Sequence, residues 1–94
     1  MYVVRTRFTA VPGMASKLAK LMKDVMGDLL HAKVRIMTDF VAPMNTVVME
    51  IDVEELAEFE RMLKDHAERA DVRERMKGYT DLYTSGDREI YRVV

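Results

Sequence analysis

Apolar and polar residues alternate from the second position of the chain. In residues 2–9, Tyr-Val-Val-Arg-Thr-Arg-Phe-Thr, one side takes Tyr2, Val4, Thr6 and Phe8 and the other takes Val3, Arg5, Arg7 and Thr9. This is the two-residue period of a β-strand. Pro12-Gly13 then ends the strand and introduces a helix. From Met14 to about Leu30 the period lengthens. Met14, Leu18, Leu21, Met22, Val25, Met26 and Leu29 recur at steps of three and four, with Lys17, Lys20, Lys23, Asp24 and Asp28 on the opposite side. That pattern predicts an amphipathic helix with one broad stripe for burial. Gly27 lowers helix propensity near its end and marks either close packing or the onset of fraying.

Alternation returns over residues 33–41. Val34, Ile36, Thr38 and Phe40 are expected to face the helices, and Lys33, Arg35, Met37, Asp39 and Val41 to face away. Residues 42–45 read as a turn and 46–52 as a third strand, so strands two and three make an antiparallel hairpin. Asp52 with Glu55 has the spacing of a capping box, which opens a helix carrying Leu56, Phe59, Met62 and Leu63 on one stripe. Val72, Met76, Tyr79 and Tyr83 continue at steps of four, three and four. Helical structure is therefore expected through Tyr83, as two segments or one kinked helix. Gly86 is expected to cap it with a positive φ before a last strand over 88–94.

The order strand, helix, strand, strand, helix, helix, strand predicts an α+β, ferredoxin-like βαββαβ fold. Its sheet would have four antiparallel strands, with the second crossover split into two helical segments. With 94 residues and no proline- or glycine-rich linker, the chain reads as a single domain over 1–94. A sheet covered on one face should read polar on the other. Here the outer face also holds Val3, Met37, Val41, Val48, Tyr91 and Val93, among Arg5, Arg7, Arg35, Asp39 and Glu50. Such a surface favours a partner, and a two-fold homodimer paired through the sheet is the expected arrangement.

These elements together resemble the dimeric α/β-barrel superfamily, a ferredoxin-like group that includes antibiotic-biosynthesis-type monooxygenases, chlorite-dismutase-like proteins and NIPSNAP-like proteins. The most specific local likeness is the tail, Tyr83-Thr-Ser-Gly-Asp-Arg-Glu-Ile-Tyr-Arg-Val93. It looks like the last helix end, glycine turn and edge strand of the NIPSNAP-like branch. The resemblance implies a dimer whose two sheets enclose a barrel, with a possible cavity between each sheet and its helices. It implies no particular reaction.

Fifteen Lys/Arg against sixteen Asp/Glu leave a formal charge of −1, which gives no general attraction to nucleic acid or anionic membranes. No apolar run approaches the ~20 residues of a membrane span, and the amino terminus reads directly as a strand, so a cytoplasmic location is expected. The chain has no cysteine, which removes disulfides and thiolate chemistry. The nine methionines fall at core-like spacings and are read as adaptable packing. His31 beside the first helix end suits a cap, with a pocket-rim base or haem ligand as the sharper reading. His66, with Asp65 and Glu68, sits on a charged helix surface. Neither has the repeated spacing of a metal site, and no cofactor is expected.

Arg5, Arg7, Arg35 and Asp39 share the outer face with Glu50, as an interfacial ion-pair network or an anion pocket. Tyr79 and Tyr83 could line a helix–sheet cavity or form the edge of the core. For catalysis, the first candidates are Arg35, Asp39, Tyr79 and Tyr83. Arginine would stabilise developing negative charge, while tyrosine or aspartate would handle a proton. Three functions follow in order: a homodimer binding a small hydrophobic or aromatic molecule, a cofactor-independent monooxygenase-like enzyme, or an interaction protein without a catalytic pocket.

Overall fold

The computed structural model describes residues 1–29 and 34–94. The opening alternation becomes β1 (Tyr2–Ala10), and the amphipathic stretch becomes α1 (Ala15–Leu29). Between them the Met14 N–H donates to the Val11 carbonyl at 2.8 Å, with Gly13 at φ 86°. Pro12 and Gly13 thus occupy the places a type II turn requires. β2 (Val34–Thr38) and β3 (Thr46–Val53) follow as the expected hairpin, then α2 (Leu56–Glu68), α3 (Ala70–Arg75), a 3₁₀ turn over Tyr79–Leu82, and β4 (Tyr83–Arg92).

The four strands form one antiparallel sheet in the order β2-β3-β1-β4. The fold is α+β and ferredoxin-like, with all helices on one face of the sheet. Val4, Ala10, Val47, Met49, Ile51 and Val53 of the sheet are buried with Leu18 and Met22 of α1, Phe59 of α2 and Leu82. Each of these side chains other than Ala10 contributes about 1.5–3 kcal/mol by leaving water. Thr6 is buried on the same face, and its hydroxyl accepts from Arg88 Nε at 3.0 Å. The Arg88 guanidinium lies 5.0 Å from the centre of the Phe59 ring.

Several expectations are corrected. Asp52 stays in β3, where pairing with Val3 keeps it from turning into a cap. Glu55 precedes α2 without a side-chain cap; instead the Glu58 carboxylate accepts the Glu54 N–H at 3.2 Å. Phe40 does not face the helices. β2 ends at Thr38, and Phe40 is 99% exposed at the hairpin tip. At Gly27 an added Cβ would meet nothing within 4 Å, so close packing does not explain that glycine.

Helical structure does not run through Tyr83. Gly78, at φ 83°, takes the left-handed turn expected of Gly86, and Tyr83 opens the final strand. Gly86 is an extended residue inside β4, opposite Phe8. A Cβ there would stand 3.0 Å from Phe8 Cδ1 and 3.2 Å from the Arg7 carbonyl oxygen. The glycine admits an aromatic ring instead of making a turn.

A bulge completes the strand. Thr9 pairs with Ser85, but Ala10 pairs with Tyr83, which leaves Thr84 as the extra residue. The extra residue reverses the alternation and turns Tyr83 onto the helix face, where its ring centre lies 4.8 Å from that of Phe8.

Candidate functional site

The outer face of the sheet is a lattice of ion pairs. Arg35, Glu50, Arg5 and Glu89 stand directly opposite one another across β2, β3, β1 and β4. Arg5 Nε donates to Glu50 Oε2 at 2.6 Å, and Arg35 Nη2 donates to Glu50 Oε1. The two guanidinia leave Glu50 only 5% exposed although no helix covers it. Burial pushes its carboxyl up, but the hydrogen bonds from Arg35 and Arg5 outweigh that and hold it below the usual carboxylate range.

One row further on, Arg7 forks onto Asp87 at 2.9 and 2.8 Å and reaches Glu89 at 2.6 Å. The Tyr91 hydroxyl donates to Glu89, and the Arg5 guanidinium lies 5.5 Å from the Tyr91 ring centre. Two guanidinia thus share one carboxylate toward β2, whereas one guanidinium shares two toward β4. Met37 and Tyr91 remain exposed among these charges.

Asp39 does not join this lattice among the described contacts. Its carboxylate accepts the Thr46 N–H at 3.0 Å, and its own N–H donates to the Thr46 carbonyl at 3.1 Å. It clasps the base of the hairpin.

On the helix side a cleft of about 390 Å³ opens between α1, the end of α2, α3 and the Gly78–Thr80 backbone. Met26, Val72, Met76 and Tyr79 supply its apolar walls, His66 and Thr80 its uncharged polar groups, and Arg73 and Lys77 its cations. No carboxylate is among the described lining residues. Burial pushes the His66 imidazole down, the Arg69 charge adds to this, and Asp65 opposes it. At neutral pH His66 is therefore an uncharged acceptor or donor. The Tyr79 and Tyr83 ring centres are 5.8 Å apart. Burial, and then the charge and hydrogen bond of Tyr79, push the Tyr83 phenol up.

Of the four candidate catalytic residues, the fold brings together Tyr79 and Tyr83 on the helix side. Arg35 and Asp39 lie on the other face of the sheet, each engaged with a different partner. His31 lies outside the described residues. Sequence reasoning placed His66 on a charged surface and missed its place in the cleft. Its signal was weak, because Met26, Val72 and Tyr79 approach it from distant segments. Among the described residues no group of three or more His, Asp or Glu side chains could hold a metal.

No family model matches the chain, and no curated protein does. Solved structures match along its whole length. An uncharacterized NIPSNAP domain protein from Burkholderia xenovorans superposes with a TM-score of 0.85 at 12% identity, over 100% of this chain and 95% of that one. The fold is NIPSNAP-like. A NIPSNAP family protein from Agrobacterium tumefaciens gives 0.84 at 14% identity, over 100% and 94%. A Chloroflexus aurantiacus protein, provisionally named an antibiotic biosynthesis monooxygenase, gives 0.75 at 12% identity, over 99% and 92%. At such identities the likeness is one of fold alone, so the NIPSNAP-like architecture carries no reaction with it. Among the described residues no helix is long and apolar enough to cross a membrane.

Proposed function

We propose that this chain works as a homodimer, paired through the outer face of its sheet, and that each copy binds a small hydrophobic or aromatic molecule in the helix-side cleft. The cleft carries the reading. Its volume of about 390 Å³ falls within the roughly 300–1,000 Å³ typical of small-molecule sites, and it combines apolar walls with a few polar groups. Met26 and Met76 can reshape around a ring or chain. Arg73 and Lys77 at the same cleft favour a ligand with a negatively charged end, such as an aromatic carboxylate.

Calorimetric titration with a set of aromatic and aliphatic carboxylates, alongside their neutral amides, tests this. Binding by the natural chain and its loss in Met76→Trp, which fills the cleft, is the expected result. Binding that Met76→Trp leaves unchanged would place the ligand elsewhere.

Pairing through the sheet is supported by the exposed guanidinia of Arg5 and Arg35 over Glu50 and by the exposed Met37 and Tyr91 on the same face. A second reading, cofactor-independent oxygenation, draws on His66 and Tyr79, a base and a phenol that line one cleft. Oxygen uptake in the presence of a bound phenolic ligand distinguishes it from binding alone.

A further inference from the structure

A second groove, of about 530 Å³, lies between α1 and the turn that ends at Leu82. Lys17, Lys20 and Asp24 line it from one stripe of the helix, and Lys77 and Asp81 line it from the turn. It meets the helix-side cleft at Lys77 and Gly78, which line both. Gly78 is exposed, and a Cβ on it would meet nothing within 4 Å, so the shared wall is bare backbone at that point. Over the two spaces the described lining residues carry four cations, Lys17, Lys20, Arg73 and Lys77, against two carboxylates, Asp24 and Asp81. The chain as a whole has a formal charge of −1, so positive charge is gathered here. Among the described residues no ion pair engages the three lysines.

We infer that the ligand of the helix-side cleft is a phosphate monoester of an aromatic or aliphatic group, whose phosphate crosses Gly78 into this groove and is held by Lys17, Lys20 and Lys77. The inference rests on the binding proposed for the cleft and names the head group. Charge decides between head groups. A carboxylate brings one negative charge, for which Arg73 and Lys77 suffice within the cleft. A phosphate monoester brings about −1.5 to −2 at neutral pH. The two spaces together present an excess of two positive charges, which a phosphate matches and a carboxylate does not. Asp24 and Asp81 cancel part of the field, which suits a single phosphate better than a chain of them. Lysine serves such a head as a point charge on a flexible stem, with no need of a fixed fork. All three lysines are exposed, so their contacts are individually weak, together worth about tenfold in affinity, and screened by salt.

Calorimetric titration with phenyl phosphate, phenylacetate and inorganic phosphate tests this. The natural chain is compared with Met76→Trp and with the double variant Lys17→Gln, Lys20→Gln, whose exposed positions leave the circular dichroism unchanged. Phenyl phosphate should bind the natural chain about tenfold or more tighter than phenylacetate, by an advantage that shrinks as salt is raised. The lysine variant should lose that advantage and keep its affinity for phenylacetate, whereas Met76→Trp should weaken both ligands. Equal affinity for the two ligands, or an advantage that the lysine variant retains, would overturn the phosphate assignment and leave the cleft standing. Phenyl phosphate that binds no tighter than inorganic phosphate and ignores Met76→Trp would leave a bare anion groove and overturn both readings. Failure of phenyl phosphate and phenylacetate alike to bind would also overturn both. Sedimentation with vesicles containing phosphatidic acid, lost in the lysine variant, would assign the lysines to a membrane surface and overturn the inference.

Discussion

The ring of Phe8 lies across Gly86 so closely that a Cβ on residue 86 would stand 3.0 Å from Phe8 Cδ1. Alanine normally improves on glycine inside a strand, because glycine loses more chain entropy on folding. Here the crowding by Phe8 and the Arg7 carbonyl opposes that gain. Gly86→Ala should destabilise the protein by about 1–3 kcal/mol through overpacking. Gly27→Ala, in the open interior of α1, should stabilise it by about 0.5–1 kcal/mol. Urea midpoints measured side by side check both; a change of the same sign at the two positions contradicts this explanation.

Glu50 should make stability depend on acid. Its folded carboxyl ionises below the usual range, so its contribution is present above the ordinary carboxylate pKa. The contribution is lost as pH falls through the depressed value. The natural chain should therefore lose stability more steeply than Glu50→Gln as pH is lowered from about 5 toward 3. At pH 7 the substitution should cost on the order of 1–3 kcal/mol, since two guanidinia lose their shared anion. Parallel acid titrations of the two proteins would contradict the assignment.

Tyr83 should ionise late. Its phenol is held up by burial and by Tyr79, so the stability linked to its protonated form persists below the ordinary tyrosine value, near about 10, and is lost as pH rises through the raised one. Ultraviolet titration should show a late component that Tyr83→Phe removes. Its survival in that variant would place the buried phenol elsewhere.

The residues that misled sequence reading explain how far the pattern reaches. Val4, Thr6, Val47, Met49 and Ile51 follow strict alternation, and Leu18 and Met22 follow the helical step, so burial repeats what the periods state. Tyr83 satisfies a helical step of four from Tyr79, yet it begins a strand. Its facing depends on the extra residue Thr84, which no period records. Gly86 and Gly78 look alike in sequence, and only the packing of Phe8 separates a glycine that admits a ring from one that makes a turn. Phe40 fits the alternation of β2 but lies beyond the point where Asp39 closes the hairpin. The cleft was the least legible part, because Met26, His66, Val72 and Tyr79 come together only through the packing of four segments.

His66 should keep an uncharged imidazole at neutral pH. Its folded pKa is depressed, so the associated stability is present above the ordinary histidine value, about 6.5, and falls as pH drops through the lower one. Nuclear magnetic resonance titration of the His66 ring should give a midpoint below that of a histidine peptide. Filling the cleft with an aromatic carboxylate should shift that midpoint. A midpoint unmoved by a ligand that binds elsewhere on the chain would separate His66 from the site.

Pairing of two copies through the outer face is the claim on which the rest of the assembly depends, and light scattering across a range of concentrations tests it most directly. A mass of twice the 10.9 kDa chain, reduced toward one chain when Met37→Glu sets a charge on the exposed apolar part of the outer face, is the expected result. A mass of 10.9 kDa at every concentration, or a dimer indifferent to that substitution, would contradict it.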